Sequence, residues 1–227
     1  MEAVLLETIP FEVDLEALEK KTGAKKARRY ADDIRQLAAE AQAVARPKAL
    51  YKVTYIEDRG DDFVVVAGVT LTSRVLQVNL AAAHRAFPFV ATCGVELESW
   101  AQSLNSDLRR YWADAIQRLA LDAASAAFLR DLNERFQPGA TSAMYPGSLA
   151  DWPLEEQRPL FALLGDTRST VGVQLKDSML MAPIKTISGI RFPTEESFES
   201  CQLCPREECP GRKSPYDAGL YERKYRS

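Results

Sequence analysis

Ala49-Leu50-Tyr51-Lys52-Val53-Thr54-Tyr55-Ile56 and Phe63-Val64-Val65-Val66-Ala67-Gly68-Val69 stand on either side of Asp58-Arg59-Gly60-Asp61-Asp62. Both runs are rich in β-branched and aromatic residues, which fit a pleated, half-buried surface. The glycine and aspartates between them suit a tight loop. The spacing predicts two strands, 49–56 and 63–69, joined as a hairpin. A hairpin makes the sheet antiparallel here, which favours an α+β fold over a parallel, doubly wound one.

Working outward, Thr72 or Ser73 is placed to cap a helix over 73–84. Pro88-Phe89-Val90-Ala91-Thr92 reads as a further strand ending at Cys93-Gly94. Upstream, Ala27, Tyr30, Ile34, Leu37, Ala41 and Val44 recur at helical spacing over 26–46, and Pro47 stops them. The longest helical pattern runs from 106 to 136. Ser106 caps it, Pro138-Gly139 ends it, and Leu108, Trp112, Ala115, Leu119, Ala123, Ala126, Leu129, Leu132 and Phe136 supply its apolar stripe. Its run of small residues, 123–127, allows close packing against another backbone. Asp151-Trp152-Pro153 reads as a helix start with Asp151 as N-cap, the helix running to Leu164 with Gly165 at its C-cap. Two further strands are expected at 171–176 and 183–191. The elements make one α+β domain with a twisted, mainly antiparallel sheet over 1–192, and a cysteine-containing tail, 193–227, packed on it.

Composition narrows the function. The chain has 227 residues, 46% hydrophobic and 27% charged, enough to bury a core without staples. Its 29 Lys+Arg against 32 Asp+Glu give a net charge of −3, which argues against nucleic acid as a partner. The N-terminus has no basic signal-peptide start, and no apolar run is long enough to span a membrane. A cytoplasmic location is expected, with no membrane partner. No GxGxxG and no GxxxxGK[ST] occurs, so the common nucleotide fingerprints are missing. His84, the single histidine, sits at a predicted helix end with no nucleophile elbow beside it and reads as a surface residue; no catalytic residue is assigned.

Three of the four cysteines, Cys201, Cys204 and Cys209, form a C-x2-C-x4-C run. In a reducing compartment such clusters read as soft-metal ligands, for an iron–sulfur cluster or zinc, before structural disulfides. Pro205 and Pro210 restrict the loop. Cys93 heads the candidates for a fourth ligand; otherwise the position stays open or falls to His84, an acidic side chain or a partner. Arg206, Arg212, Lys213, Arg223, Lys224 and Arg226 follow and can offset thiolate charge.

Between Ala143 and Phe192, Tyr145-Pro146-Gly147-Ser148 forms a turn leading to Asp151-Trp152. Next come Leu160-Phe161-Ala162-Leu163-Leu164 and Gly172-Val173-Gln174-Leu175. Met181-Ala182-Pro183, Lys185 and Ser188-Gly189 complete the set. This ordered set resembles the S-adenosylmethionine-binding activation domain of cobalamin (vitamin B12)-dependent methionine synthase, and is most similar to stand-alone relatives with a cysteine-rich C-terminal tail. Thr92-Cys93-Gly94 is similar to the family's Thr-x-Gly turn.

The resemblance implies a groove for S-adenosylmethionine, with Tyr145, Pro146, Gly147, Ser148, Asp151, Trp152, Lys185, Ser188, Gly189 and Arg191 as candidate binding residues. It also implies a partner: the corrinoid-binding core of methionine synthase or another corrinoid methyltransferase, which supplies the corrinoid. In the family the methyl group is offered to inactive cob(II)alamin while a redox partner delivers one electron, restoring methylcobalamin. Two positions depart from the family's Arg-x-x-x-Gly-Tyr motif: Ala140 stands at the arginine and Met144 at the glycine. A second ligand-contacting tyrosine falls near Arg191, whose guanidinium can pair with a carboxylate instead. The expectation is a reactivation factor for a corrinoid methyltransferase such as methionine synthase. The alternative is a non-enzymatic docking module for a corrinoid protein, with a structural zinc or iron–sulfur site.

Overall fold

The computed structural model describes residues 2–23, 30–209 and 211–226. The predicted hairpin forms, with β2 (Lys48–Arg59) and β3 (Phe63–Val66) paired antiparallel. The second run does not continue as one strand. Ala67 and Gly68 take positive φ, 47° and 77°, and turn the chain back into β4 (Val69–Thr72). A two-residue loop with both φ positive matches the right-handed twist of its strands. Every pair in the sheet is antiparallel, in the order β4-β3-β2-β5-β9-β6. Here β5 is Arg85–Thr92, β6 is Thr141–Met144 and β9 is Thr186–Pro193. An N-terminal strand, β1 (Glu2–Leu6), also pairs with β2.

Alternation along the strands sends side chains to two cores. On one face Tyr51, Phe87, Phe89 and Ala91 meet Leu121, Ala124, Phe128 and Leu132 of the long helix. On the other, Leu50, Val64, Val90, Met144, Ile190 and Phe192 meet the helices that follow β4 and β6. The result is an α+β domain with helices on both faces of an antiparallel sheet.

The first face carries four helices. α1 (Leu15–Thr22) is bounded by Asp14 as cap and a left-handed Gly23. α2 is Ala31–Val44, α4 is Val95–Ser103 and α5 is Asp107–Phe136. The predicted first helix was 26–46; its residues 26–29, with Ala27, lie outside the described residues. α5 has the predicted bounds and the predicted Ser106 cap. Of its expected stripe, Trp112 and Leu132 are buried, and the rest of the buried face is Ala113, Ile116, Gln117, Ala120, Leu121, Ala124, Ala127 and Phe128. Leu121, Ala124, Phe128 and Leu132 meet the sheet, Trp112, Ala113, Ile116 and Ala120 meet the other helices, and Leu108 is left 39% exposed.

The second face carries α3 (Arg74–Asn79), α6 (Gln157–Leu164) and α7 (Thr167–Val171). α3 is shorter than the predicted 73–84 helix, and the chain is already extended at Arg85. The strand expected at 171–176 begins instead as α7, whose cap Asp166 accepts from the Ser169 amide. Only Gln174–Leu175 (β7) is extended, paired with Met181–Ala182 (β8). After β9 the chain crosses this same face. Phe198 and Tyr225 of α8 (Leu220–Lys224 with Tyr225 as its C-cap) are buried there, and the Tyr225 hydroxyl donates to Asn79 Oδ1 at 3.0 Å.

Candidate functional site

β6 ends at Met144, and Tyr145-Pro146-Gly147-Ser148 folds as a turn. Pro146 fixes the second position, Gly147 takes φ 81° at the third, and the Ser148 amide donates to the Tyr145 carbonyl at 3.1 Å. Gly147 N–H reaches the Trp152 carbonyl at 2.8 Å, which closes the segment into a small knuckle. Two side chains fasten it to the β4–α3 corner. Asp151 Oδ2 accepts from the Ser73 hydroxyl and from the Val75 amide at 3.0 Å. Trp152, fully buried, donates through its indole to Glu156 Oε2, which also accepts from the Thr72 amide at 2.9 Å. Asp151 therefore does not cap α6, which is preceded by a 3-10 turn over Leu154–Glu156. It reaches across the fold to reinforce the Ser73 cap of α3.

Sheet register decides which candidate residues meet. Residue 143 lies opposite Arg191, so Thr141, Ala143, Tyr145, Gly189 and Arg191 share the α5 face at one edge. β6 covers only 190–193, leaving the 186–189 edge of β9 open beside the turn. A Cβ on Gly189 would stand 2.6 Å from the Met144 carbonyl oxygen and 2.9 Å from the Tyr145 ring. The missing side chain lets Tyr145 lie on the strand, edge-on to Phe89 at 6.2 Å.

The Arg191 guanidinium is part-buried and donates to Thr141 Oγ1 at 2.7 Å. Its Nε is buried with no acceptor among the described residues. Burial pushes its pKa below the ordinary arginine value, opposed by the Tyr145 hydroxyl and the Glu199 carboxylate. Thr141 and Glu199 were not singled out from the sequence; only the strand pairing reveals Thr141.

Other candidates lie elsewhere. Ser188 points to the opposite face, opposite Val90, with a buried and unpaired hydroxyl. Lys185 pairs with Asp114 of α5 at 2.8 Å, six residues and about 20 Å of extended chain from Arg191. It lines a groove of about 380 Å³ with Glu98, Arg110 and Ile184. Met144 fills the second core, and Ala140 lines an open groove with His84, Arg85 and Glu195.

Cys93 is fully buried among α2, α4 and α5 residues, its amide bonded to the Lys185 carbonyl at 3.0 Å. The tail cysteines follow Phe198, which sits in the core on the other face of the sheet. The structure thus does not bring Cys93 to them, and it is not their fourth ligand. Among the described residues no three His, Cys, Asp or Glu side chains stand together as a metal cage.

Burial, with Glu98 adding to it, pushes the Cys93 thiol from 9.0 up to about 12. The folded state then holds this proton between pH 9 and 12 while the unfolded chain releases it, so stability is full below pH 9 and is lost as pH rises to 12. Alkaline denaturation series should show a shallower fall over that window in Cys93→Ala; an unchanged slope contradicts the assignment.

Among the described residues no helix is long and apolar enough to cross a membrane. No protein-family model matches the chain, and no curated protein matches it by sequence. By structure it is similar to the crystal structure of the MetH reactivation domain bound to AdoHcy. The TM-score is 0.61 and the identity 14%, over 88% of this chain and 81% of that chain. The two share a fold.

Proposed function

We propose that this chain is a reactivation module for a corrinoid-dependent methyltransferase such as methionine synthase. In this reading residues 1–192 form the activation-domain-like body and 193–227 the tail packed on it. The body binds S-adenosylmethionine at the open edge of β9 and presents it to cob(II)alamin held by the partner, with the electron drawn from a redox partner.

The observation that carries the reading is the Arg191 guanidinium, held at a sheet edge by Thr141 beside Tyr145 and keeping an unpaired Nε. A planar guanidinium suits the carboxylate of an amino-acid-derived ligand. The position also answers the loss of arginine at Ala140. Bound S-adenosylmethionine supplies the methyl group. Tyr145, seated on β9 by the missing side chain of Gly189, offers its ring to the ligand, and Pro146-Gly147-Ser148 borders the edge.

Calorimetry with S-adenosylmethionine tests this directly. Wild-type protein should bind, and S-adenosylhomocysteine should compete. Arg191→Ala should weaken binding about 10- to 100-fold, the worth of one charge-assisted carboxylate contact. Unchanged affinity in that variant refutes the site.

The alanine at 140 favours one second reading, a non-enzymatic module that docks a corrinoid protein. It is the better account if the ligand gives no heat and no thermal shift while a corrinoid protein still co-elutes with the chain.

A further inference from the structure

We propose that the groove between α4, α5 and the start of β9 is a separate small-molecule site, for an uncharged planar ligand whose amide-like edge is read by the Gln117 side chain. Gln117 lies midway along α5, among Ala113, Ile116, Ala120 and Leu121 of its buried face. It is only 8% exposed, and it lines the groove. Its amide has no hydrogen-bond partner among the described residues. A buried amide left unpaired costs stability, and a leucine of similar size would pack here without that cost. The amide therefore serves something other than the fold.

The groove holds about 380 Å³, near the small end for ligand sites, which limits the occupant to about one ring system. Its charged groups are matched within the fold. Lys185 Nζ pairs with Asp114 Oδ1 at 2.8 Å, and Arg110 pairs with Asp107 at 3.3 Å. Glu98 Oε1 accepts from the Ile184 amide at 2.6 Å, which ties the β8–β9 loop to α4. The lining carries Lys185 and Arg110 against Glu98 and Asp114, so it offers no net charge to an ionic ligand. Ala101 and Ile184 supply apolar wall. Ile184 is 73% exposed, an aliphatic side chain left in water at the rim, where a flat ring would cover it.

A primary amide presents an acceptor and a donor side by side. Its complement is a planar edge with a donor beside an acceptor. Adenine offers one at N6 and N7, and a heteroaromatic carboxamide offers one at its own amide. Both are neutral, flat and of one ring system. The groove is distinct from the Arg191 edge. Lys185 lies six residues before Arg191, about 20 Å of extended chain, which a one-ring ligand does not span.

The test is heteronuclear NMR of the isotope-labelled full-length protein, titrated with 9-methyladenine and, separately, with nicotinamide. The Gln117 side-chain amide signal is assigned by its absence in Gln117→Leu. At least one ligand should shift that signal saturably; 9-methyladenine alone marks a nucleobase site and nicotinamide alone a carboxamide site. Removing the donor, as in 9-methylpurine or 3-acetylpyridine, should weaken binding about 10- to 100-fold, and Gln117→Leu should do the same, the worth of one bidentate amide contact. Gln117→Leu should melt at or above the wild-type temperature, and Arg191→Ala should leave the titration unchanged. No shift with either ligand overturns the proposal. So does a Gln117→Leu protein that melts clearly earlier, because the amide would then have a partner in the fold. A titration lost in Arg191→Ala also overturns it, by making the groove part of that edge.

Discussion

Trp152→Ala should lower the stability of the domain by about 3–5 kcal/mol, the usual cost of emptying a fully buried aromatic site. The indole is fully buried in the core that β4, α3 and α6 share. Its loss opens a cavity and removes the donor that helps fix Glu156, the acceptor for the Thr72 amide. The knuckle would also lose its anchor beside Asp151, so the Ser73 cap should weaken with it. For a chain of this length each kcal/mol is worth about 2–4 °C, so the melting temperature should fall by roughly 10 °C. Glu155→Ala, exposed on the neighbouring turn, should stay within about 0.5 kcal/mol of wild type. Urea denaturation of the three proteins checks both numbers. A Trp152→Ala protein as stable as Glu155→Ala would mean that the knuckle is not part of the cooperative core.

Local signals account for what the sequence revealed of the fold. The β2–β3 hairpin was legible because glycine and aspartate interrupt two β-rich runs. The ends of α5 were legible because a serine cap and a Pro-Gly stop bracket thirty residues. Its buried face was legible only at Trp112 and Leu132, because α5 packs on the sheet through one set of residues and on other helices through another, and a single periodic stripe does not separate the two. The turn at Ala67-Gly68 was hidden because a left-handed alanine, φ 47°, leaves the apolar run unbroken. Asp151 looked like a local helix cap, yet it serves a helix 76 residues earlier. α7 has a local sign in the sequence, the Asp166-x-x-Ser169 cap, which competes with the β-branched run Val171-Gly172-Val173 that reads as a strand.

The candidate site was legible only in part, for a related reason. Tyr145, Gly189 and Arg191 were each named, but so were Lys185, Ser188 and Cys93, which the strand order sends to other places. Alternation puts Ser188 and Gly189 on opposite faces although they are adjacent, and only the pairing of β9 with β5 and β6 says which face is which. Arg212 is one base among six in the sequence, and only the fold shows it donating to the Cys201, Cys204 and Cys209 carbonyls.

Gly189→Ala should damage stability and ligand binding together, and this coupling separates it from every other substitution at the edge. The added methyl would meet the Met144 carbonyl at 2.6 Å, the Tyr145 ring at 2.9 Å and the Phe89 ring at 3.2 Å. The rings can shift, but the carbonyl belongs to β6, which is bonded to β9 along 190–193. Strand β6 must therefore move outward, at a cost of about 1–3 kcal/mol typical of overpacking. That movement carries Thr141 and Tyr145 away from Arg191, so S-adenosylmethionine affinity should fall at least as far as in Arg191→Ala. Tyr145→Phe is the comparison. It keeps the ring and removes only the hydroxyl facing the guanidinium, so it should weaken binding while the melting temperature holds. Thermal melts and calorimetry on the two variants distinguish the outcomes. If Gly189→Ala melts at the wild-type temperature, the close approach of Tyr145 to β9 is not a feature of the folded protein. If it melts early but binds as wild type, the ligand does not use this edge.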